Sequence, residues 1–409
     1  MEQLALLGGR PRRETPFSKW PIWGHEEEEA AIRVVRSGSW WRYGGLDVSG
    51  FEEEFAAYHG AKHGIATTSG TVALRLALWT AGLKAGDEVI LPPYTFLATA
   101  TSVIEQNAKP VFVDVSPDTY NLDPELIEAA ITPRTRAIVP VHFAGRAADL
   151  DPILQIAERH GLTVIEDSAH GHGGAWNGRG LGSIGAMGCF SFQASKNITA
   201  GEGGIVLTND EALADQCRAL HTYGRRVGGT NYEQDQMASN YRMTAFQGAI
   251  LRCQLARLAE QTELREANAA RLTARLSQIP GIAPQRRGDE ETRKAFHLFL
   301  FRLDEQVWGV RRKRFVEALG AEGIPVTAGY QTPLHRQAFF TLPEFGPYTA
   351  AFDQDPTLDY RQVNCPVAEH ACTSEGCWMH HAVLLGTEAD VDAIADSFEK
   401  VWENRLALA

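Results

Sequence analysis

One lysine, Lys196, lies in residues 189–204, CFSFQASKNITAGEGG, between the short apolar runs 189–192 and 205–207. The runs read as strands, and the small residues between them as a tight loop that holds the lysine against the interior. Burial disfavours the ammonium form, so such a lysine can serve as nucleophile or base. A lone lysine is more often a solvated surface group, but two other stretches shift the balance. Val164-Ile165-Glu166-Asp167-Ser168-Ala169-His170 ends an apolar strand on acids and a histidine. Ligands of open α/β sheets sit beyond the carboxyl ends of strands, where Asp167 would lie. Thr67-Thr68-Ser69-Gly70-Thr71 falls between a strand and a helix, where hydroxyls and free N–H groups make a phosphate site. A phosphate cup, a strand-end acid and a lysine, in that order, suit pyridoxal phosphate. The lysine would form the Schiff base and the acid would pair with the pyridinium nitrogen.

Strands and helices must alternate to position these groups, and residues 65–207 do alternate. Strands are expected at 64–67, 88–91, 110–115, 137–142, 162–165, 189–192 and 205–207, with helices at 72–81, 96–106, 124–131 and 152–160. Such alternation implies an α/β fold, a mostly parallel sheet with helices on both faces. Gly180-Leu181-Gly182-Ser183-Ile184-Gly185 spells a dinucleotide-binding fingerprint. That motif should follow a strand and open a helix; here it follows a Gly-rich turn and runs into a strand, so it is set aside. Ahead of the sheet come a helix at 26–36 and a loop at 37–45 that carries Trp40, Trp41, Arg42 and Tyr43 among glycines and serines. The loop reads equally as a binding loop or as a packed turn. A helix follows at 51–58, with Ser49 and Glu52 as a capping box. Residues 244–279 read as one long helix or two joined ones. They bridge to a smaller α+β domain with strands at 296–303, 325–329 and 378–385 and helices at 313–321 and 390–405. The expected division is 1–254, a large cofactor-binding domain with the N-terminal segment, and 255–409, a small C-terminal domain.

Composition sets bounds. The formal net charge of −12 over 409 residues argues against nucleic acid or an anionic membrane as partner. No apolar run reaches the ~18 residues of a membrane span, and the N-terminus lacks the charge order of a signal peptide. A cytoplasmic protein is expected. Six cysteines are scattered. Cys365, Cys372, Cys377, His380 and His381 cluster in sequence, but only Cys377 and His380 form a close pair, so no metal site is expected.

Five motifs together resemble the DegT/StrS-type family of sugar and cyclitol aminotransferases, fold-type I pyridoxal phosphate enzymes. They are SGTVAL (69–74), PPYTFLATAT (92–101), VIEDSAHGHG (164–173), FSFQASKNITAGEGG (190–204) and SNYRMTAFQGAIL (239–251). The similarity runs from about Trp23 to the C-terminus. It implies that Lys196 holds the cofactor as a Schiff base and moves a proton, the group cycling through a pyridoxamine form. Asp167 would face the ring nitrogen, His170 the phenolic oxygen and Phe96 the ring face. Gly70, Thr71 and Ser191 would bind the phosphate, and Asn240 would reach the phosphate of a neighbouring subunit, making a homodimer with shared sites. His172 is left as structural. Substrate-side candidates are Trp40, Trp41, Tyr43, His335 and one of His380 and His381, since neighbours on a strand face opposite ways.

The resemblance implies transfer of an amino group from glutamine or glutamate to a keto-cyclitol or keto-sugar, in the branch near scyllo-inosose aminotransferase and 3-amino-5-hydroxybenzoate synthase. The alternatives are the dehydrating synthase, an aminotransferase of nucleotide-linked 4-keto-6-deoxy sugars, and a regulatory protein that retains the fold. Arg225-Arg226 and Arg311 to Arg314 bear on the nucleotide reading, because a diphosphate needs cations.

Overall fold

The computed structural model describes residues 2–225, 234–286, 288–342, 345, 348 and 359–408. Its main sheet has the order β1-β9-β8-β5-β4-β2-β3. The strands are β1 His63–Thr67, β2 Glu88–Leu91, β3 Lys109–Phe112, β4 Thr135–Ile138, β5 Thr163–Asp167, β8 Met187–Ser191 and β9 Gly204–Thr208. The ribbon of β6 Ala175–Trp176 and β7 Arg179–Gly180 stands apart. From β3 to β8 every pairing is parallel; β9 alone runs antiparallel to both its neighbours. Parallel strands need a long crossover, whereas an antiparallel pair can close through a tight connection. The connection between β8 and β9 is the loop that carries Lys196.

Side chains alternate across the sheet, and both faces are covered. Val89, Leu91, Ile165 and Cys189 pack in one cluster with α3, Gly70–Thr80. Ile90 and Val164 pack in another with Ile153 and Ile156 of α5, Leu150–His160. Phe190 joins Phe51 and Phe55 of α2, Asp47–His59. Period-2 burial against helices on both sides is what a buried, mostly parallel sheet requires.

Several expectations are corrected. The helix expected at 124–131 is two short 3₁₀ turns, Pro124–Leu126 and Glu128–Ala130. Helix α2 starts at Asp47, so Ser49 is not its cap. Glu52 pairs instead with Arg42 at 2.6 Å and accepts the Ala66 N–H at 2.6 Å. Residues 244–279 form two helices, α7 Ala245–Ala256 and α8 Leu258–Leu276, that meet at Arg257.

A second sheet has the order β10-β11-β13-β12, all antiparallel. Its strands are β10 Ile282–Pro284, β11 Leu298–Leu303, β12 Val326–Thr327 and β13 Gly376–His380. Phe299, Phe301 and Met379 pack with Phe315 of Arg312–Ala321 and with Phe398 of Glu388–Glu403. The strand expected at 378–385 ends at His380, and His381–Leu385 turn into a 3₁₀ segment. Leu4 and Leu6 of the N-terminal segment pack with this second core. We propose that the chain divides at 254/255, between the large domain and the small one.

Candidate active site

Strands β1, β5 and β8 deliver their carboxyl ends to one edge of the main sheet. Register aligns them, since Asp167 lies opposite Cys189 on β8, and Ser191 and Thr67 both lie opposite Gly204 on β9. A cavity of about 500 Å³ opens at that edge, with Gly70, Thr71, Asp167, His170, Ser191 and Lys196 in its lining. Six positions separated by up to 126 residues of chain thus meet in one space.

The loop that bears Lys196 is pinned. Ile198 is buried in the core behind it, Thr199 donates its hydroxyl to the Phe192 carbonyl at 2.8 Å, and the Asn197 amide donates to the Ala295 carbonyl at 2.8 Å. Burial lowers the Lys196 pKa to about 8, with the Asp167 carboxylate pulling the other way. Among the described residues the amine has no ion-pair partner, so an amine with a sizeable neutral fraction near physiological pH faces the cavity.

Asp167 is 4% exposed. Its Oδ2 accepts the Thr99 hydroxyl at 2.7 Å, its Oδ1 accepts the Ala169 N–H at 3.1 Å, and Thr95 backs Thr99 at 3.0 Å. Burial raises the carboxyl's pKa, while Thr99, Ala169 and Lys196 work against that rise. A positively charged ring nitrogen would supply the missing counter-charge.

Helix α3 starts at Gly70 with Ser69 as its cap, which accepts the Val72 N–H at 3.2 Å. The Gly70 and Thr71 N–H groups precede the first intrahelical bond and carry no partner among the described residues. A Cβ on Gly70 would lie 2.5 Å from the Ser191 Cβ, so only glycine lets the helix end approach β8 this closely. Free N–H groups, the Ser191 hydroxyl and this close approach form a cradle for a phosphate ester. With Asp167 and Lys196 in the same cavity lining, the residues fit a phosphate-bearing pyridine cofactor.

His170 accepts the Ala144 N–H on Nδ1 at 3.3 Å, which leaves its proton on Nε2. Burial, with Lys196 nearby, holds the imidazole well below its ordinary pKa, hence neutral. Phe96 also lines the cavity and is 64% exposed, an open aromatic face at its mouth.

Other candidates fall elsewhere. Trp40, Trp41 and Tyr43 are each more than half exposed, at 53%, 55% and 52%, and do not line this cavity. Trp41 and Tyr43 meet edge to face at 5.2 Å, and Trp40 tilts against Phe246 at 5.9 Å. Asn240 is exposed, and its Oδ1 accepts the Arg242 N–H at 3.3 Å. His335 does not line this cavity: it is buried, bonded to Glu369 at 3.0 Å and packed near Phe112. His380 and His381 do not line the cavity either. Both place Nε2 on the Ser195 carbonyl, at 3.0 and 3.1 Å, beside the lysine. The opposite-faces expectation fails because the strand ends at His380 and the backbone turns there.

The glycine fingerprint has a different use. The Gly182, Ile184 and Gly185 N–H groups hold the Glu166 carboxylate at 2.7–2.8 Å, and His142 closes the set at 2.9 Å. Its anion is a side chain of the protein. Among the described residues no group of three His, Cys, Asp or Glu could hold a metal, and no helix is long and apolar enough to cross a membrane.

Three of the rings in the lining escape sequence reasoning: His297, Tyr330 and Trp378, all from the region of the second sheet. Each adjoins or belongs to an apolar run and reads as core. For Thr99 a signal existed, since Thr95 and Thr99 share a helical spacing beside the strand-end acid.

A sequence model described as the DegT/DnrJ/EryC1/StrS aminotransferase family matches residues 23–399. An L-glutamine:2-deoxy-scyllo-inosose aminotransferase of Micromonospora echinospora is 39% identical over 100% of both chains. The crystal structure of 3-amino-5-hydroxybenzoic acid synthase superposes with a TM-score of 0.83 at 35% identity, covering 96% of this chain and 100% of that one. A Bacillus subtilis structure, NtdA with bound cofactor PMP, superposes with a TM-score of 0.80 at 26% identity over 96% and 87% of the two chains.

Proposed function

The chain belongs to the DegT/DnrJ/EryC1/StrS aminotransferase family, and from that premise we propose that it moves the amino group of glutamine or glutamate to a free keto-cyclitol with pyridoxal phosphate as cofactor. Bound in the cavity, that cofactor supplies an electron-accepting ring. The protein's own groups do the rest. Gly70, Thr71 and Ser191 hold the phosphate ester. Asp167, steadied by Thr99 and Ala169, keeps a negative charge against the ring nitrogen. His170 offers its Nε2–H to the phenolic oxygen. Lys196 would hold the cofactor, and its amine, when free, would take and return the proton that transamination moves, a task suited to a pKa of about 8. Phe96, exposed in the cavity lining, would stack on the ring.

The observation that carries the choice of acceptor is the charge of the cavity. Among its described lining residues Lys196 is the lone lysine or arginine. A nucleotide diphosphate brings two charges that call for arginines. Arg311 pairs with Glu305, Arg312 holds backbone carbonyls of 371 and 376, and Arg314 pairs with Glu317. Arg225 lies outside the lining, and Arg226 falls outside the described residues. A small polyhydroxylated ring needs hydrogen bonds and apolar faces instead. The test is the ratio of kcat/KM for scyllo-inosose to that for a nucleotide-linked 4-keto sugar, with glutamine as donor. A ratio above one is expected; a ratio well below one moves the chain to nucleotide sugars. The likeness to 3-amino-5-hydroxybenzoic acid synthase supports a second reading, in which an aromatic product absorbing in the near ultraviolet would accumulate from a cyclic ketone.

We further propose a homodimer in which Asn240 completes the neighbour's phosphate site, and a cytoplasmic location. Exposure of Asn240 together with Trp40, Trp41 and Tyr43 supports the dimer, since large exposed aromatic groups call for a partner surface.

A further inference from the structure

The second sheet's side of the cavity carries three polar atoms with no partner in the described chain. His297 places Nδ1 on the Asn197 Oδ1 at 3.1 Å. Asn197 has committed its Nδ2 to the Ala295 carbonyl at 2.8 Å, so its oxygen faces the imidazole and His297 must donate from Nδ1. Burial, with His170, Lys196, His381 and His380 around it, holds the ring well below its ordinary pKa and therefore neutral. Its Nε2 is then a bare acceptor. That atom bonds nothing in the described chain and is not sealed from solvent, although the residue is only 4% exposed. The ring lines the cavity, and Nε2 is its polar atom without a partner in the described chain. The Tyr330 hydroxyl and the Trp378 indole N–H are likewise unpartnered and unsealed.

These rings are rigidly placed. His297 stacks on His170 at 4.1 Å and 28°. Tyr330 and Trp378 meet edge to face at 5.2 Å, and Phe143 lies 5.9 Å from each. The wall therefore offers an acceptor, a hydroxyl that can donate or accept, and a donor, all on aromatic surface. A carboxylate or phosphate oxygen would meet the lone pair of Nε2 and be repelled, so this wall does not suit the acidic end of the amino donor or a diphosphate. Hydroxyl groups on a compact ring match it.

We propose that His297, Tyr330 and Trp378 form the specificity wall for the amino acceptor, with a ring hydroxyl of a polyhydroxylated cyclohexanone donating to His297 Nε2 and ring oxygens accepting from Tyr330 and Trp378. This rests on the ketone-aminating reading of the site. A ring without those hydroxyls leaves the wall's polar atoms unpaired, which is how a buried site rejects the wrong substrate.

The test uses His297→Phe and Tyr330→Phe holoenzymes, both of which keep a planar ring in place. Calorimetric titration with scyllo-inositol, which has no carbonyl to react, reads the wall without turnover. Each variant should weaken that binding ~10-fold, the scale of one neutral hydrogen bond. It should lower kcat/KM for scyllo-inosose by a similar factor and that for cyclohexanone by less than ~3-fold. Equal losses on both ketones, or unchanged scyllo-inositol affinity in both variants, would overturn the proposal. The two readings fail separately. Wild-type protein that binds scyllo-inositol but cannot aminate scyllo-inosose overturns the aminating reading and leaves the wall. Wild-type protein that does not bind scyllo-inositol at millimolar concentration overturns the wall, whatever its activity.

Discussion

Glu166 and Asp167 are adjacent on β5 yet serve opposite faces of the sheet: Glu166 takes the Gly182 and Gly185 N–H groups at 2.7 Å, while Asp167 takes the Thr99 hydroxyl at 2.7 Å. Alternation along a strand makes this possible. One acid is spent on anchoring the loop that precedes β8. The other is left with room at the cavity. Two carboxylates in sequence thus have separate roles, set by what surrounds each one.

Replacing Glu166 tests the anchoring role. Burial raises its carboxyl's pKa, but His142 and the Gly185 and Gly182 N–H groups outweigh that, and the net pKa is lowered from 4.5. A lowered carboxyl stabilises the fold at pH above its unfolded value, and that contribution disappears as pH falls through the folded value. Glu166→Gln should cost on the order of 3 kcal/mol at pH 7, since it leaves a buried donor set without its anion. Urea melts at pH 7 and below pH ~4.5 should show the gap between wild type and variant narrowing in acid. An equal gap at both pH values would mean that the carboxylate's charge is not what holds the loop.

Asp167→Asn should behave otherwise. The side chain keeps its shape and can still accept from Ala169, but it loses the charge and turns an N–H₂ group toward Thr99. Stability should change little, because the buried carboxyl already carries a desolvation cost. Activity should fall by ~10²-fold or more, the scale seen when an electrostatic partner of a reacting group is removed. Steady-state rates with glutamine and scyllo-inosose, beside a thermal melt, separate the two effects. Turnover at the wild-type rate would make Asp167 structural.

Lys196 gives a prediction with a pH window. Its folded pKa is about 8 against an ordinary 10.5. Between those values the unfolded chain holds a proton that the folded chain lacks, so stability rises with pH across the window. Below it, the charged amine costs the cofactor-free fold at most ~3 kcal/mol. Lys196→Met in cofactor-free protein should therefore be stabilising at pH 7, and the gain should vanish by pH ~10.5. Acylation of the amine, followed by peptide mapping, should show a midpoint near 8. Borohydride treatment of the holoenzyme should leave its label on Lys196; a label on another lysine would end the assignment.

Much of this arrangement was legible in the residues. The strand runs stand out because a sheet covered on both faces needs continuous apolar segments: the expected strand 88–91 matches Glu88–Leu91 to the residue, and the one at 162–165 stops short of the end of β5 because Glu166 and Asp167 do not look like strand. Asp167 ends β5, Gly70 starts the helix after β1 and Lys196 lies in the loop between β8 and β9, so all three stand out beside the boundaries of apolar runs, which sequence marks well. His297, Tyr330 and Trp378 do not, since nothing local distinguishes a ring that faces a cavity from one that faces a core. His335 failed in the reverse direction: its partner Glu369 is 34 residues away and invisible to local pattern. Trp40, Trp41 and Tyr43 looked like pocket residues because an aromatic group among glycines is unusual; within one chain they face outward.

Asn240 decides whether the outward face matters. Among the described residues its side chain bonds to its own turn alone, at 3.3 Å, and the residue does not line the cavity of its own chain. If it serves the phosphate site of a neighbour, damage to Asn240 in one chain should harm the other chain's centre. Chains carrying Lys196→Ala and chains carrying Asn240→Ala should each be defective alone. Mixed and reassembled at equal amounts, a twofold dimer yields hybrids as about half of all dimers. In each hybrid the chain with intact Lys196 faces the partner chain with intact Asn240, while the other centre carries both changes. About a quarter of all sites should then recover, and sedimentation should show no active monomer. An asparagine that acted within its own chain would give no recovery at all, because every intact lysine would still sit beside an alanine. Activity regained on mixing, read against that zero, is therefore a direct measure of whether the site is shared.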